Sequence, residues 1–373
     1  MQEILWSIFV AVTVVQLLYY LVYLRFALAF SRRRKPNNNG VSVIVYVKNE
    51  TSALSQFLPS ILEQDHPNFE IVLINDSYYA ELEYDETLGL MHEFAQKHAN
   101  IKIVNIVHNE TFWGNKKYAL SLGIKGASNE KLIFTNLHNR PASTKWLSKM
   151  GNRFSDRKSI VLGYNNYKQR FFSLNNAFYR YERYMASLQM FSFAKMGMPF
   201  TGTDNNLGFD RSEFYNLGGF AGHMEIVGSA DELFINNAAN GHNTAICYAP
   251  KSHTRNISNP GFLAWFKEKC LKNQNRKRFK GTHKFHLRLF GLSQFLFWVM
   301  AILLVFVFPY QKQELLTYYI ILGRFAFQFL INLFSAIKLR EWDLPILSPL
   351  IEPFLILTQI PIFIGNSFSK PNN

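Results

Sequence analysis

Cysteines and glycine-rich phosphate loops are what this sequence lacks most clearly. Its 373 residues include two cysteines, Cys247 and Cys270, and neither has a metal-ligand spacing. This excludes a disulfide scaffold and a cysteine zinc site, and in a cytoplasmic setting it predicts free thiols. No G-x-G-x-x-G or G-x-x-x-x-G-K motif occurs. The sequence therefore argues against a dinucleotide-binding Rossmann domain and against a P-loop.

The basic and aromatic composition indicates a membrane protein rather than a nucleic-acid-binding one. Net charge is +14 and 16% of residues are aromatic, including 35 Phe. Residues 4–24 are uncharged and long enough to span a bilayer. Glu3 precedes this stretch and no small-residue cleavage site follows, which favours an anchor over a cleaved signal peptide. Arg25 and the basic run at 32–35 then predict, by the positive-inside rule, a cytoplasmic domain.

The C-terminal part of the chain predicts further membrane segments. Residues 289–311 and 315–337 can each span, whereas 344–368 holds four prolines and could be broken or re-entrant. Arg324 and Glu352 are costly at membrane depth unless paired or wet. We expect them to pair; the alternative is that both lie near an interface.

The predicted domain organisation follows from these segments. The expectation is an anchor at 1–24, a basic cytoplasmic linker at 25–40, a soluble domain at 41–285 and a membrane region at 289–368. The whole would be an integral protein of the plasma (inner) membrane.

The soluble stretch alternates strand and helix patterns. Apolar runs at 41–47, 70–75, 101–107 and 131–135 are typical of buried parallel strands, and helical patterns separate them. Such a doubly wound α/β sheet binds ligands beyond the carboxyl ends of its strands. Polar residues follow each run, at 48–50, 75–77, 108–110 and 136–138. The topology therefore predicts a nucleotide site at that edge.

Several segments resemble family 2 glycosyltransferases. "PSILEQDHPNFEIVLINDS", "GNKKYALSLGI", "TGTDNNLGFDRSEFYNLGGF" and "DELFINNAANGHNTAI" follow that family's order over about residues 40–275. The resemblance implies a GT-A fold of the nucleotide-diphospho-sugar transferase superfamily, a Rossmann-like α/β domain here flanked by transmembrane helices. It implies a nucleotide site that includes Asn49, Glu50 and Asp76, with Lys116 and Lys117 as charge substitutes.

The family's metal-binding D-x-D motif is altered. Its usual frame, T-D-A-D-x-x-P-x-S, reads Thr-Asn-Leu-His-Asn-Arg-Pro-Ala-Ser at 135–143. Residues i and i+2 of an extended segment point the same way, so Asn136 and His138 replace the two carboxylates. Mg²⁺ prefers anionic oxygen ligands, whereas a His nitrogen suits Mn²⁺ better. The resemblance implies a Mn²⁺ or Mg²⁺ cofactor; the alternative is that His138 is an ordinary loop residue.

Two further family positions have also changed. The catalytic base position falls on Ala230, and Asp231 and Glu232 follow it. A shift of one residue turns a helical side chain by about 100°. Asp231 is therefore either a relocated base or, with Glu232, a helix N-terminal charge. A motif resembling Q-x-x-R-W reads "AWFKEKCLKN" at 264–273, which places Trp265, Lys269 and Lys272, together with Asn206, on the acceptor and diphosphate side.

The basic run at 267–288 holds nine Lys or Arg residues and one Glu, immediately before a membrane segment. We interpret it as an interfacial helix on anionic lipid headgroups, which accounts for much of the charge without nucleic acid.

Two functions remain open from the sequence. The first is an inverting membrane glycosyltransferase that moves a sugar from a nucleoside diphosphate sugar to a lipid-linked or polysaccharide acceptor. The second is a pseudo-glycosyltransferase that binds a nucleotide or glycan, or docks another glycosyltransferase subunit, because three chemical positions have changed together. A transporter is disfavoured, since four spans at most leave little room for a solute pathway.

Overall fold

The computed structural model describes residues 2–30, 38–77, 85–106, 115–226, 228, 230–307 and 313–368, with side chains as far as residue 362. Two features singled out in the sequence lie outside these residues: the basic run at 32–35 and the strand end at 108–110.

The described strands and helices alternate along the chain as the sequence pattern predicts. The strands are β1 Val41–Val47, β2 Phe69–Asn75, β3 Ile101–Asn105, β4 Lys131–Asn136, β5 Asn139–Pro141, β6 Ile160–Gly163, β7 Asn165–Tyr167, β8 Leu207–Asp210, β9 Thr244–Cys247 and β10 Thr254–Asn256. The helices of the domain are α2 Thr51–Leu62, α3 Glu86–Lys97, α4 Lys116–Gly126, α5 Trp146–Gly151, α6 Leu174–Lys195, α7 Arg211–Asn216, α8 Ala230–Ala238 and α9 Phe262–Arg276. The long apolar helices are α1 Gln2–Ala27, α10 Gly281–Ile302, α11 Glu314–Leu339 and α12 Leu344–Phe368.

The central sheet has seven strands in the order β3-β2-β1-β4-β8-β6-β9. The pairs β3-β2, β2-β1 and β1-β4 are parallel, whereas β8 runs antiparallel to β4 and β6. Because β8 is reversed, the residues just before it lie at the same edge as the residues just after β4. A small sheet in the order β5-β10-β7 lies beyond that edge. The predicted α/β GT-A fold is confirmed.

Alternation along the strands divides the core into two layers. One layer takes Ile44, Val72, Ile74, Leu132 and Phe134. The opposite layer takes Val43, Val45, Ile71, Leu73 and Ile133. Helices cover both faces of the sheet, which is why these strands read as continuous apolar runs.

Four described helices are long and apolar enough to cross a membrane: Gln2–Ala27, Gly281–Val307, Glu314–Leu339 and Leu344–Ile362. The second of these ends in a π-helical turn, Leu303–Val307. The first packs against α10 through Phe9 and Phe297, whose ring centroids are 5.6 Å apart. Near its end, Phe26 contacts Phe191 of α6 at 5.2 Å. The anchor therefore continues into the core of the soluble domain.

The Pro-rich segment is one continuous helix, α12, with Pro349, Pro353 and Pro361 in its interior. The expectation that it could be broken is therefore wrong. Each proline removes one backbone donor, and neighbouring helices support the segment. Its contacts include Phe354 against Phe178 of α6, with ring centroids 5.2 Å apart.

The predicted pairing of Arg324 with Glu352 is confirmed. Arg324 Nη2 lies 3.0 Å from Glu352 Oε1, and both side chains are almost wholly buried. Gln294 Nε2 donates to the same carboxylate oxygen at 2.7 Å. This pair joins α11 to α12 inside the helical bundle, where an unpaired charge would be costly.

A second buried charge cluster joins the turn between α11 and α12 to the soluble domain. Arg180 of α6 donates to Asp343 at 2.6 Å. The fully buried Glu341 accepts from both Arg180 and Arg255, the latter on β10. The helical bundle therefore holds the small sheet in place, and that sheet borders the candidate site.

Candidate active site

The ends of β1 and β2 form one side of the site. Asp76 directly follows β2 and is 1% exposed. Its carboxylate accepts a hydrogen bond from the Tyr46 hydroxyl, and Lys48 Nζ lies 4.0 Å away. Asn49 has a positive φ of 51° and accepts a hydrogen bond from Ser77. These contacts bring Asn49 and Asp76 to the edge where the sequence predicts a nucleotide.

At the altered D-x-D position, the side-chain amide of Asn136 is already hydrogen-bonded within the protein. Asn136 Oδ1 accepts from the backbone N–H of His138 at 3.0 Å, and Asn136 Nδ2 donates to Asn205. Asn139 Nδ2 donates to the same Asn205 oxygen at 2.8 Å, and Asn139 Oδ1 accepts from Asn165 Nδ2 at 2.8 Å. We call Asn136, Asn139, Asn165 and Asn205 the amide network. It ties β4 and the loop before β8 to the small sheet.

The donor atoms at this position do not fit Mg²⁺ or Mn²⁺. The one side-chain oxygen of Asn136 is neutral and already accepts a hydrogen bond from the backbone N–H of His138. His138 Nε2 lies 2.9 Å from Glu50 Oε2, which leaves one nitrogen and one carboxylate as a half-exposed pair. Among the described residues no group of three or more His, Cys, Asp or Glu side chains could hold a metal ion. A hard divalent cation needs more anionic oxygen than this.

A charged cluster lies on the other side of the amide network. Asp204 precedes β8, and its carboxylate accepts from Lys116 Nζ at 2.6 Å. The backbone N–H of Asp204 donates to Asp231 Oδ2 at 2.8 Å, which orients a carboxylate at the start of α8. We call Lys116, Asp204 and Asp231 the charged triad.

Burial and neighbouring charges shift the pKa values of the two acids of this triad in opposite directions. Burial, the charge of Asp204 and the charge of Glu232 raise the pKa of Asp231 to about 7. Burial also acts to raise the pKa of Asp204, but the positive charge of Lys116 outweighs it and the pKa falls below its usual value. Asp204 therefore stays ionised at neutral pH, whereas Asp231 can exchange a proton there.

Residues of α9 contribute further charge. Lys272 forms an ion pair with Glu268 at 2.7 Å, and its electrostatic partners also include Glu232 of α8 and Arg183 of α6. Lys269 donates to Glu182. Burial acts to raise the pKa of Glu182, yet Lys269 lowers it to about 2. Lys272 thus lies within electrostatic reach of Glu232 and of Asp204 in the charged triad, whereas Lys269 is paired with α6.

Three predicted site residues are not brought into the site. Lys117 is 3% exposed, and its ammonium donates to the backbone carbonyls of His223 and Ile226. Asn206 is 1% exposed, and its amide bonds Trp146 and two carbonyls inside the core. Trp265 is 3% exposed and packs on Phe178 and Tyr179. Each of these side chains has a packing role where a ligand contact was expected.

Two residues that the sequence analysis did not single out are central to the geometry. Asp204 and Asn205 lie inside the recognised segment "TGTDNNLGF". The sequence feature that could indicate them is a carboxylate and an amide just before a strand. Only the antiparallel placement of β8 brings them to the edge beyond β4.

Comparisons with known proteins agree with this architecture. The sequence profile described as "Glycosyl transferase family 2" matches residues 42–221. A comparison with curated protein sequences found no match.

The solved structures that are similar to the chain include the following two. One is the mannosyltransferase PcManGT from Pyrobaculum calidifontis, in complex with GDP-Man and Mn²⁺, with a TM-score of 0.57 and 18% identity. That match covers 92% of this chain and 99% of the other. The other is TarS 1-349 of S. aureus, with a TM-score of 0.42 and 15% identity, over 82% of this chain and 89% of that one. The first likeness supports the fold, and the second is too weak to carry an argument.

Proposed function

Since residues 42–221 form a domain of glycosyl transferase family 2, we propose that the chain is an inverting, membrane-bound glycosyltransferase. It would move a sugar from a nucleoside diphosphate sugar to a lipid-linked or polysaccharide acceptor. The observation that carries this proposal is the charged triad. Asp231 is a half-buried carboxylate with its pKa raised to about 7, held beside Lys116 at the sheet edge that also carries Asp76.

The residues divide into a donor side and an acceptor side. Asp76, Asn49 and Glu50 hold the nucleoside, because they follow β1 and β2 at the ligand-binding edge. Asp231 takes the proton of the acceptor hydroxyl as that oxygen attacks the anomeric carbon. The bond between the anomeric carbon and the diphosphate oxygen breaks, and its electron pair leaves with the nucleoside diphosphate. Attack from the far side inverts the configuration.

Glu232 and Lys272 support this arrangement from the far side of Asp231. Glu232 is 9% exposed, and its charge helps to raise the pKa of Asp231. Lys272 lies within electrostatic reach of Glu232 and Asp204. We assign Glu232 a role in tuning the base, and Lys272 a role in attracting the diphosphate. Lys269 would act only through Glu182.

The proposed reaction does not include the metal ion that the family resemblance implies. PcManGT was solved with Mn²⁺. In this chain a Mn²⁺ or Mg²⁺ ion would have Asn136 and His138 as ligands. Their donor set does not fit, so no step of the proposed reaction depends on such an ion.

The membrane helices determine where the reaction takes place. We propose an integral protein of the plasma (inner) membrane with the domain on the cytoplasmic face, because basic residues follow α1. The basic run of α9 and α10 then lies against anionic lipid, and nucleic acid is not a partner. A lipid-linked acceptor, or a growing cell-envelope polysaccharide, would reach Asp231 from that surface.

A pseudo-glycosyltransferase is the second candidate, and the amide network favours it. Four amides bonded to one another occupy the place where the family binds its metal. In that case the fold would bind a nucleotide or glycan, or dock another glycosyltransferase subunit, without transferring sugar.

Replacing the base distinguishes the two candidates. Asp231→Asn keeps the shape and the hydrogen bond from Asp204 but cannot accept a proton. We expect sugar transfer, assayed with labelled nucleoside diphosphate sugars and a membrane lipid extract, to fall about 10²- to 10⁴-fold. Nucleotide binding should be retained. Asp156→Asn, an exposed position, is the matched control. Undiminished transfer by Asp231→Asn would rule out this base, and absence of transfer in the unmodified chain would favour the pseudoenzyme.

A further inference from the structure

Lys116 lies between the two sides of the proposed active site. Its Nζ is 5.4 Å from the centroid of the Tyr46 ring, and the Tyr46 hydroxyl bonds Asp76 on the nucleoside side. The same nitrogen is 2.6 Å from Asp204, whose backbone bonds Asp231 on the acceptor side. A nucleoside diphosphate sugar has its diphosphate between its nucleoside and its reacting carbon. The ammonium of Lys116 therefore lies between the residues assigned to the nucleoside and the proposed base, beside the path that a diphosphate would take between them.

Lys116 remains accessible at that position. Its side chain is 43% exposed although it is paired with Asp204. An ammonium has three donors, so it can keep Asp204 and still donate to a phosphate oxygen.

Two other cations lie within electrostatic reach of Asp204, the partner of Lys116. The positive charges of Lys116, Lys272 and Arg183 all act to lower the pKa of Asp204, against the effect of burial. Arg183 is held over the Tyr167 ring at 4.3 Å and donates to Asn165 of the amide network at 2.8 Å. Positive charge therefore converges beside a position whose usual carboxylates are replaced by neutral amides.

We propose that the ammonium of Lys116 replaces the metal ion as the positive charge that binds the diphosphate. The donor site would then bind a nucleoside diphosphate without Mn²⁺ or Mg²⁺. This inference rests on the proposed function, since it concerns the same site. As the glycosidic bond breaks, negative charge develops on the leaving phosphate oxygen. A fixed ammonium in a partly enclosed site stabilises that charge, as a metal ion otherwise would.

Neighbouring lysines do not offer the same geometry. Lys117, the next residue of α4, turns away and donates to the carbonyls of His223 and Ile226. Lys48 lies 4.0 Å from Asp76 at the nucleoside end of the site. Lys116 is thus the position whose removal should affect the diphosphate and spare the nucleoside.

The test is a nucleotide titration of the full chain in detergent, in EDTA and again in Mn²⁺. The probes are UDP, GDP and dTDP, with UMP, GMP and dTMP as the matching monophosphates. Lys116→Met removes the charge and keeps the length of the side chain. Lys125→Met, at an exposed position in the last turn of the same helix, is the matched control.

We expect one nucleoside diphosphate to bind equally in EDTA and in Mn²⁺. Lys116→Met should weaken its binding in EDTA about tenfold, the loss of one charge-assisted contact. Binding of the matching monophosphate, and binding by Lys125→Met, should change little.

Three results would overturn the inference, and they are distinguishable. Binding that appears only with Mn²⁺ would indicate that a metal ion held by Asn136 and His138 binds the diphosphate. That result would contradict the inference about Lys116 but not the proposed transferase activity. Absence of nucleotide binding in either condition would overturn the donor site itself and the proposed function with it. Equal loss of mono- and diphosphate binding in Lys116→Met would place Lys116 at the nucleoside, which also contradicts the inference.

Discussion

The two sides of the candidate site differ in the kind of chemistry that they retain. At positions 136 and 139 neutral amides both donate to Asn205, and the D-x-D carboxylates are absent. On the other side, Lys116 and Asp204 form an ion pair, and Asp231 is an ionisable carboxyl whose pKa is raised to about 7. In the proposed reaction the altered metal motif and the base are therefore separate features, and a change in the first does not by itself remove the second.

The pH dependence of transfer provides the largest effect that can test this contrast. Asp231 must be deprotonated to act as a base, and its pKa is about 7 because burial, Asp204 and Glu232 disfavour its charge, while Lys116 opposes them. Transfer should therefore fall about tenfold for each pH unit below 7.

A variant tests whether Asp231 determines the midpoint of this pH profile. Asp204→Asn removes one of the charges that raise the pKa of Asp231, so the midpoint of the pH profile should move to lower pH. Asp156→Asn should leave it in place. An unmoved midpoint in Asp204→Asn would separate Asp231 from the pH dependence of transfer.

Restoring the metal motif should have an effect of about one order of magnitude. Asn136→Asp combined with His138→Asp opens the amide network and supplies two anionic ligands on one side of the segment. Binding of a nucleoside diphosphate to this double variant should become about tenfold tighter in Mn²⁺ than in EDTA. Titration calorimetry would measure it, with Asn237→Asp on α8 as the control. No gain in Mn²⁺ would mean that these positions do not face the diphosphate.

Disrupting the amide network should affect transfer least. Asn205→Ala leaves the amides of Asn136 and Asn139 without their shared acceptor. We expect the free energy of unfolding to fall by about 1–3 kcal/mol, because buried donors lose their partner. Chemical unfolding in detergent would measure this loss, and Asn237→Ala, at an exposed position, should change stability by less than about 0.5 kcal/mol. A large loss of transfer without a loss of stability would assign the network a direct role in the reaction.

Local sequence pattern predicted much of the fold. The apolar run at 41–47 coincides with β1, and the residue after β2 is the buried Asp76. The cost of burying charge in a bilayer was enough to predict the Arg324–Glu352 pair. In contrast, four prolines suggested a break in α12 that neighbouring helices prevent.

Long-range geometry set what the sequence could not predict about the site. Asn136 meets Asn205 only because β8 runs antiparallel to β4, a placement that no local pattern specifies. Lys116 and Lys117 are adjacent in sequence, but successive helical residues point about 100° apart. One therefore faces the site while the other ties down a loop. The resemblance does not indicate Asp204, because in that segment it points to Asn206, whose amide is a core contact.

Sugar transfer in EDTA is the measurement that tests the central claim most directly. The purified chain would be incubated with a panel of labelled nucleoside diphosphate sugars and a membrane lipid extract, with the metal chelated. We predict product in EDTA from the unmodified chain and almost none from Asp231→Asn. Product that appears only when Mn²⁺ is restored, or none from any donor, would contradict an active site that keeps its base and dispenses with its metal.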